Sequence, residues 1–392
     1  MLQEQHPREY GGAVGFGVCQ DCFLAFPPAA IGLSLPGAWD GVESGVIKYS
    51  LPLLFICLAT AVANAQWPGQ TPPDEVPVYV PADYDPDEPM PLLIFLHGYA
   101  PLTTAWYDIL LPLQADANDY GYIFVKPDGS QDGLGEFYWN ATDACCDMWG
   151  NGPDHVGYLL ALVDSIEANY NIDPGRIHIV GHSNGGFMGH RMACEASSKF
   201  ASVVSIAGAM WNDPSNCQPT EPIHVLQVHG TLDPVIWWLG GFIGLTPYPG
   251  VNTTIEYWAA QNGCSTTATE AGYFDLDWLI LFDETTRWIY GGCDDASAGS
   301  AELWEVGAGS HFMSFSDEGI SALFNYLDTH SKPIPEPECE ADVTGDQQVD
   351  IADLLLVINN WGTNDAASDI NNDGIVDVTD LLVVMGDWGP CA

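Results

Sequence analysis

From residue 91 onward, short apolar runs alternate with longer amphipathic stretches. The runs PLLIFLHG (91–98), YIFVKPDG (122–129), RIHIVGHS (176–183), ASVVSIAG (201–208), IHVLQVHG (223–230) and ELWEV (302–306) read as buried strands. Each is rich in β-branched or aromatic residues, and several close on Gly or His-Gly. Between them, residues 154–170 place Val156, Leu159, Leu160, Val163, Ile166 and Tyr170 on one helical face. Residues 317–330 do the same with Ile320, Leu323, Phe324 and Leu327. Strands alternating with helices predict an α/β fold, with a mostly parallel sheet and helices on both faces.

The pattern changes at both ends. Ser50 to Val62 is an apolar run after Lys48, followed by Ala63-Asn64-Ala65. That is the layout of a secretory signal peptide, and the run is short of the ~20 residues of a membrane span. The expected mature start is Gln66, with 1–65 removed; residues 1–44 then read as upstream sequence, with initiation near Val42 or Val46. Residues 66–332 form the α/β domain, 333–338 a Pro-rich linker, and 339–392 a small all-α domain that repeats internally.

Composition narrows the function classes. The chain has 53 Asp plus Glu against 8 Lys plus Arg, a formal charge of −45. Nucleic acid and anionic membrane surfaces need a basic footprint, so both are excluded as partners. At 47% hydrophobic residues with 14 Trp, the chain is also no disordered polyacid. Eight cysteines remain after residue 65, an even number that suits disulfides in an exported protein. Their clustering suggests Cys264–Cys293 and Cys339–Cys391, leaving Cys145 and Cys146 to share Cys194 and Cys217.

Gly181-His182-Ser183-Asn184-Gly185 fits G-x-S-x-G, after a predicted strand and before a helical pattern. The glycines permit a tight turn that holds a serine hydroxyl clear of the sheet edge, so Ser183 is the candidate nucleophile. A hydroxyl needs a base, and the base needs an acid to fix its tautomer. Asp233 follows the strand ending at Gly230, and His311 follows the strand 302–306, giving the order Ser, acid, His. Asp277, Asp283, Asp294 and Asp295 also precede His311, but none directly follows a comparably strong strand. The oxyanion donors expected by position are the backbone N–H groups of Tyr99 and Asn184. His182 adjoins the nucleophile, and Trp237 and Trp238 follow the acid, so all three are candidates for lining a substrate pocket.

PLLIFLHGY, FYWNATDACCD, DPGRIHIVGHSNGGFMGHRMACE, VHGTLDPV and WAAQNGC together resemble secreted polyhydroxybutyrate-depolymerase-like esterases. That group is similar to the feruloyl and acetylxylan esterases of carbohydrate esterase family 1. The resemblance spans about 78–330 and implies a Ser183–Asp233–His311 triad on an α/β-hydrolase fold. Two departures stand out. Ala100-Pro101 replaces a Gly-rich segment after Tyr99, and Pro234-Val235-Ile236-Trp237-Trp238 follows the acid where Val-Pro-Tyr is common.

In the C-terminal segment, Asp369, Asn371, Asp373, Asp377 and Asp380 occupy calcium-loop positions 1, 3, 5, 9 and 12, with the Ile375 carbonyl at position 7 and Gly374 at the turn. A copy 27 residues upstream offers Asp342, Thr344, Asp346, the Gln348 carbonyl, Asp350 and Asp353. It has Gln347 where glycine is expected, so weaker binding is predicted there. The duplicated loop–helix resembles a type I dockerin. The resemblance implies structural Ca²⁺ and docking through the helices onto a cohesin-like or cell-surface partner, although positions 10 and 11 (Ile351-Ala352 and Val378-Thr379) lack the usual Ser/Thr pair.

The expected function is a secreted serine carboxylic-ester hydrolase acting on feruloyl or acetyl esters of plant or algal polysaccharides, with no catalytic cofactor. The alternatives are an extracellular polyhydroxyalkanoate depolymerase and, from another class, a non-catalytic scaffold or adhesion component.

Overall fold

The computed structural model describes Trp67, residues 70–99, Tyr107, 111–334 and 339–391. The predicted signal peptide and the upstream stretch lie outside the described residues, as does 335–338 of the predicted linker.

Nine strands make one sheet. In chain order they are β1 (Val78–Tyr79), β2 (Met90–Leu96), β3 (Ile123–Val125), β6 (Ile172–His182), β7 (Ser202–Ile206), β8 (His224–Gly230), β11 (Thr269–Phe274), β12 (Thr285–Tyr290) and β13 (Ser300–Val306). Across the sheet the order is β1-β3-β2-β6-β7-β8-β13-β12-β11. The run from β3 to β13 is parallel, and β1, β12 and β11 add antiparallel pairs at the two edges. Among the described residues the remaining strands pair in twos: the hairpins β4 (Ser130–Gln131) with β5 (Phe137–Tyr138) and β9 (Gly241–Ile243) with β10 (Thr246–Tyr248), and β14 (Gln348–Val349) with the distant β15 (Gly389–Pro390).

Alternation along the strands builds a core on each face. Leu92, Ile94 and Leu96 of β2 point to one side, where α2 (His155–Glu167), α3 (Asn184–Glu195) and α4 (Val251–Gln261) pack. Leu93 and Phe95 point to the other, against α1 (Leu113–Asp119) and α5 (Asp317–Thr329). Burial on both faces explains why the central strands are continuous apolar runs. The buried stripe of α2 differs in detail from the predicted face. Tyr158 and Leu162 are buried, whereas Leu160 and Tyr170 are half-buried, because α2 also packs on α3 and the 73–75 turn.

The disulfides correct one expectation. Cys264–Cys293 and Cys339–Cys391 form as anticipated, but Cys145 bonds Cys146, and Cys194 bonds Cys217. Cys194 sits at the end of α3 with its Cα 5.0 Å from that of Cys217, within normal bridging reach. That pairing leaves the adjacent cysteines to each other.

Burial also sets an acid limit on stability. It pushes His155, His178 and His182 down to about 3, and His190 and His224 to about 4, from an ordinary 6.5. These rings are neutral when folded and take up protons on unfolding once the pH is below 6.5. Their contribution is therefore complete above 6.5 and is lost as pH falls, at about 1.4 kcal/mol per pH unit for each. Thermal melts followed by tryptophan fluorescence should show the midpoint dropping steeply from pH 6.5 to 5. A flat midpoint over that interval would contradict buried neutral histidines.

Candidate active site and C-terminal loops

The site forms where β6, β8 and β13 reach their carboxyl ends. Ser183 follows the end of β6 with φ 53° and ψ −119°, a strained turn that lifts its side chain off the sheet. A Cβ at Gly181 would overlap the Gly185 carbonyl, and one at Gly185 would overlap the Leu96 carbonyl. The flanking residues must therefore be glycines. Below the turn, α3 is buried almost throughout, which holds the serine on a rigid base.

Parallel pairing of β13 with β8 puts Val306 level with Gly230, so their following loops leave together. Thr231 donates its N–H to the Val306 carbonyl and Leu232 to that of Gly309, at 3.0 Å each. This stitching brings His311 to Asp233. His311 Nδ1 lies 2.8 Å from Asp233 Oδ2, and its Nε2 lies 3.0 Å from Ser183 Oγ. An ionised carboxylate can only accept, so Nδ1–H donates to it and Nε2 is left to accept from the serine hydroxyl. Asp233 and His311 are both buried. Burial would raise the Asp233 carboxyl, but the N–H groups of His229, His311 and Val235 turned toward it outweigh that. The carboxyl is held well below the usual carboxylate range. Its Oδ1 also accepts from the N–H groups of Val235 and Ile236, at 2.8 and 2.9 Å.

The rival acid Asp277 is buried elsewhere, accepting from Leu279 and Ser314 N–H. His182 is engaged at both ring nitrogens. Nε2–H donates to the His311 carbonyl at 2.8 Å, and Nδ1 accepts from the Tyr107 hydroxyl at 3.0 Å. Tyr107 in turn accepts the Gly98 N–H at 2.7 Å. His182 thus braces the backbone of His311, with only its ring left to offer a ligand.

Asn184 opens α3, so its backbone N–H has no acceptor within the helix. Its side chain has a separate task that sequence reasoning missed. It accepts the Trp139 N–H at 2.7 Å, donates to the Trp139 carbonyl at 2.9 Å, and reaches Cys145 Sγ at 3.5 Å. This bond set ties the 139–146 segment to the nucleophile turn. The segment walls a cavity of about 540 Å³ with Met148, Ile243 and Thr246. Tyr99 follows Gly98, and its hydroxyl donates to Asp132 Oδ2 at 2.7 Å. The two tryptophans part company: Trp237 is 58% exposed, while Trp238 packs half-buried on the core beside His229.

Comparisons with known proteins bear on both domains. Residues 73–237 match the esterase family model, and residues 340–386 match the dockerin type I domain. The chain carries an esterase domain and a C-terminal type I dockerin domain. It is 28% identical over 199 residues to feruloyl esterase B of Piromyces equi, covering 49% of this chain and 36% of that one. It is 27% identical over 198 residues to feruloyl esterase C of Emericella nidulans, covering 48% and 62%. It is 26% identical over 168 residues to a bifunctional acetylxylan esterase/xylanase of Neocallimastix patriciarum, covering 41% and 22%. The chain thus spans less than two thirds of each of these relatives.

The dockerin domain packs two copies of a loop and helix, α6 (Ile351–Asn359) and α7 (Val378–Gly386), around six buried apolar side chains: Ala341, Val349, Val357, Ile370, Val376 and Val384. In both copies the position-12 carboxylate is fully buried and binds loop N–H groups. Asp353 accepts from Thr344 and Asp350, and Asp380 from Asn371 and Asp377. Position 6 is left-handed in both, with φ 96° at Gly374 and 68° at Gln347, where a Cβ is disfavoured. The loop carboxylates rest on backbone N–H groups. Among the described residues the tight three-group cluster is Cys339, Asp342 and Cys391, whose sulfurs are already spent in a disulfide.

Proposed function

We propose that the esterase domain hydrolyses carboxylic esters of polysaccharides, feruloyl or acetyl, through an acyl-enzyme on Ser183. The observation that carries this reading is the hydrogen-bonded series Ser183–His311–Asp233 on a strained strand-to-helix turn. In it, His311 Nε2 takes the serine proton as Oγ attacks the ester carbonyl, and Asp233 steadies the imidazolium that forms. The N–H groups of Asn184 and Tyr99 receive the developing oxyanion. His311 then gives its proton to the departing alcohol, and water repeats the sequence to release the acid. The feruloyl and acetylxylan relatives and the dockerin domain support polysaccharide esters as the substrate class.

A second reading, polyester depolymerisation, is favoured by one feature. Leu232, Val235, Trp237, Leu239, Phe242 and Leu245, on the loop and hairpin after the acid, are all more than half exposed. Rates on methyl ferulate, acetylated xylan and polyhydroxybutyrate, measured side by side, separate the two. Turnover of the first two with none of the polyester is expected, and activity confined to the polyester would reverse the preference.

In the dockerin domain, Asp369, Asn371, Asp373, the Ile375 carbonyl, Asp377 and Asp380 would hold one Ca²⁺. Asp342, Thr344, Asp346, the Gln348 carbonyl, Asp350 and Asp353 would hold another. The donors are all oxygen, as calcium prefers. Eleven acids and no Lys or Arg lie in 339–392, so the buried Asp353 and Asp380 have no basic partner in their own domain. Each helix also presents an apolar row: Ile351, Leu355, Ile358 and Trp361 in one copy, and Val378, Leu382, Met385 and Trp388 in the other, every one 47% exposed or more. The rows repeat at 27 residues and suit a cohesin-like partner on a scaffold or cell surface. Among the described residues no helix is long and apolar enough to cross a membrane.

A further inference from the structure

Behind Asp233 runs a second series of hydrogen bonds that the ester chemistry above does not use. Trp258 on α4, His190 on α3, and Gln227 and His229 on β8 are all fully buried. Trp258 Nε1 donates to His190 Nδ1 at 3.0 Å, and His190 Nε2 donates to Gln227 Oε1 at 3.0 Å. Gln227 Nε2 donates to the Gly208 carbonyl at 3.0 Å and to His229 Nδ1 at 3.1 Å. His229 Nε2 then donates to the Ile236 carbonyl at 2.8 Å, with Asp233 Oδ2 at 3.4 Å. Both ends force the direction, because an indole N–H can only donate and a carbonyl can only accept. The indole N–H makes His190 Nδ1 an acceptor, and the Gln227 amide nitrogen, donating to the Gly208 carbonyl, makes His229 Nδ1 another, so every link has a single sense.

We propose that His229, its tautomer set by Gln227 and His190, is a positioning residue for Asp233. The proposal rests on the hydrolase reading above. By holding the Ile236 carbonyl, His229 fixes the turn whose Val235 and Ile236 N–H groups grip Asp233 Oδ1. The same N–H edge faces Oδ2, the oxygen that receives His311. The carboxylate is thereby restrained at both oxygens, and the series behind it passes through His190 on the helix that follows the nucleophile turn. Burial keeps His190 neutral, down at about 4, as a one-donor link requires. Losing the restraint lets Asp233 and His311 drift, which slows the chemical step without touching the bound substrate.

The test uses the whole protein and reads kcat and KM separately. His229→Leu should lower kcat on the order of tenfold to a hundredfold, with KM within about twofold of the parent. His229→Gln places an N–H near the position of Nε2 and should recover most of that loss. Gln227→Leu leaves His229 in place but frees its tautomer, and should lower kcat about tenfold at unchanged KM. It carries the test if His229→Leu does not fold, as judged by near-ultraviolet circular dichroism. Parental kcat in either folded Leu variant, or His229→Gln no better than His229→Leu, overturns the proposal. Activity surviving in Ser183→Ala would instead overturn the hydrolase reading itself, so the two failures are distinct.

Discussion

Replacing Ser183 by alanine is expected to lower kcat about 10⁶-fold while leaving the fold and the substrate affinity unchanged. The hydroxyl is the atom that His311 Nε2 meets at 3.0 Å, and no second hydroxyl takes part in the hydrogen-bonded series. The methyl group of alanine keeps the Cβ that the turn already accommodates, so the strained backbone at φ 53° has no new reason to relax. Loss of turnover with an unchanged melting point is therefore the signature of a lost nucleophile. Asp233→Asn should cost about 10⁴-fold. An amide presents an N–H where His311 needs an acceptor, turning the imidazole to the wrong tautomer. Labelling by an active-site phosphonate, abolished in Ser183→Ala and merely slowed in Asp233→Asn, checks both. Near-normal turnover in Ser183→Ala would mean that another group attacks the ester.

The second large effect is expected on chelation of calcium, and it should be confined to the C-terminal domain. Six buried apolar side chains are a very small core for this domain, well short of what an unaided module of this size needs. Two bound ions would add about 4 kcal/mol each at a thousandfold excess over their dissociation constants. Without them, the buried Asp353 and Asp380 have no basic residue in the domain to pair with. Adding EDTA should therefore unwind α6 and α7, lost helicity and a shifted emission of Trp361 and Trp388 reporting the change, while ester hydrolysis continues. Asp369→Ala should reproduce most of the effect and abolish capture by an immobilised cohesin domain. Asp342→Ala should matter less, because the first loop strains Gln347 where the second has Gly374. Helicity indifferent to EDTA would refute the calcium reading.

The central strands and the helices after residues 154, 183 and 316 were legible because burial on both faces writes itself as unbroken apolar runs and helical stripes. The edge strands were not. β11 leaves five of its six residues exposed, so it lacks both signals, and its pairing with β12 is a matter of main-chain hydrogen bonds. The helix α4 carries a readable pattern all the same: Val251, Thr254, Ile255, Trp258 and Ala259 are buried at helical spacing. The cysteines show a different limit. Separation along the chain says nothing about whether Cys194 meets Cys145 or Cys217, because that depends on how α3 is laid across the sheet.

Local chemistry thus reached as far as the turn around Ser183, the order of acid and base, and the oxygen ligands of the two loops, since each depends on residues close together in the chain. Which side chains touch across longer separations was settled by packing. His311 finds Asp233 because β13 lies beside β8 in register, and His182 supports His311 across 129 positions. Asn184 clamps the 139–146 segment, and Trp258, His190, Gln227 and His229 line up only where α4, α3 and β8 are pressed together. Residue types mark which groups are able to bond. Only the close packing of distant elements, which excludes water and leaves each buried polar group to find a partner, decides which of them do.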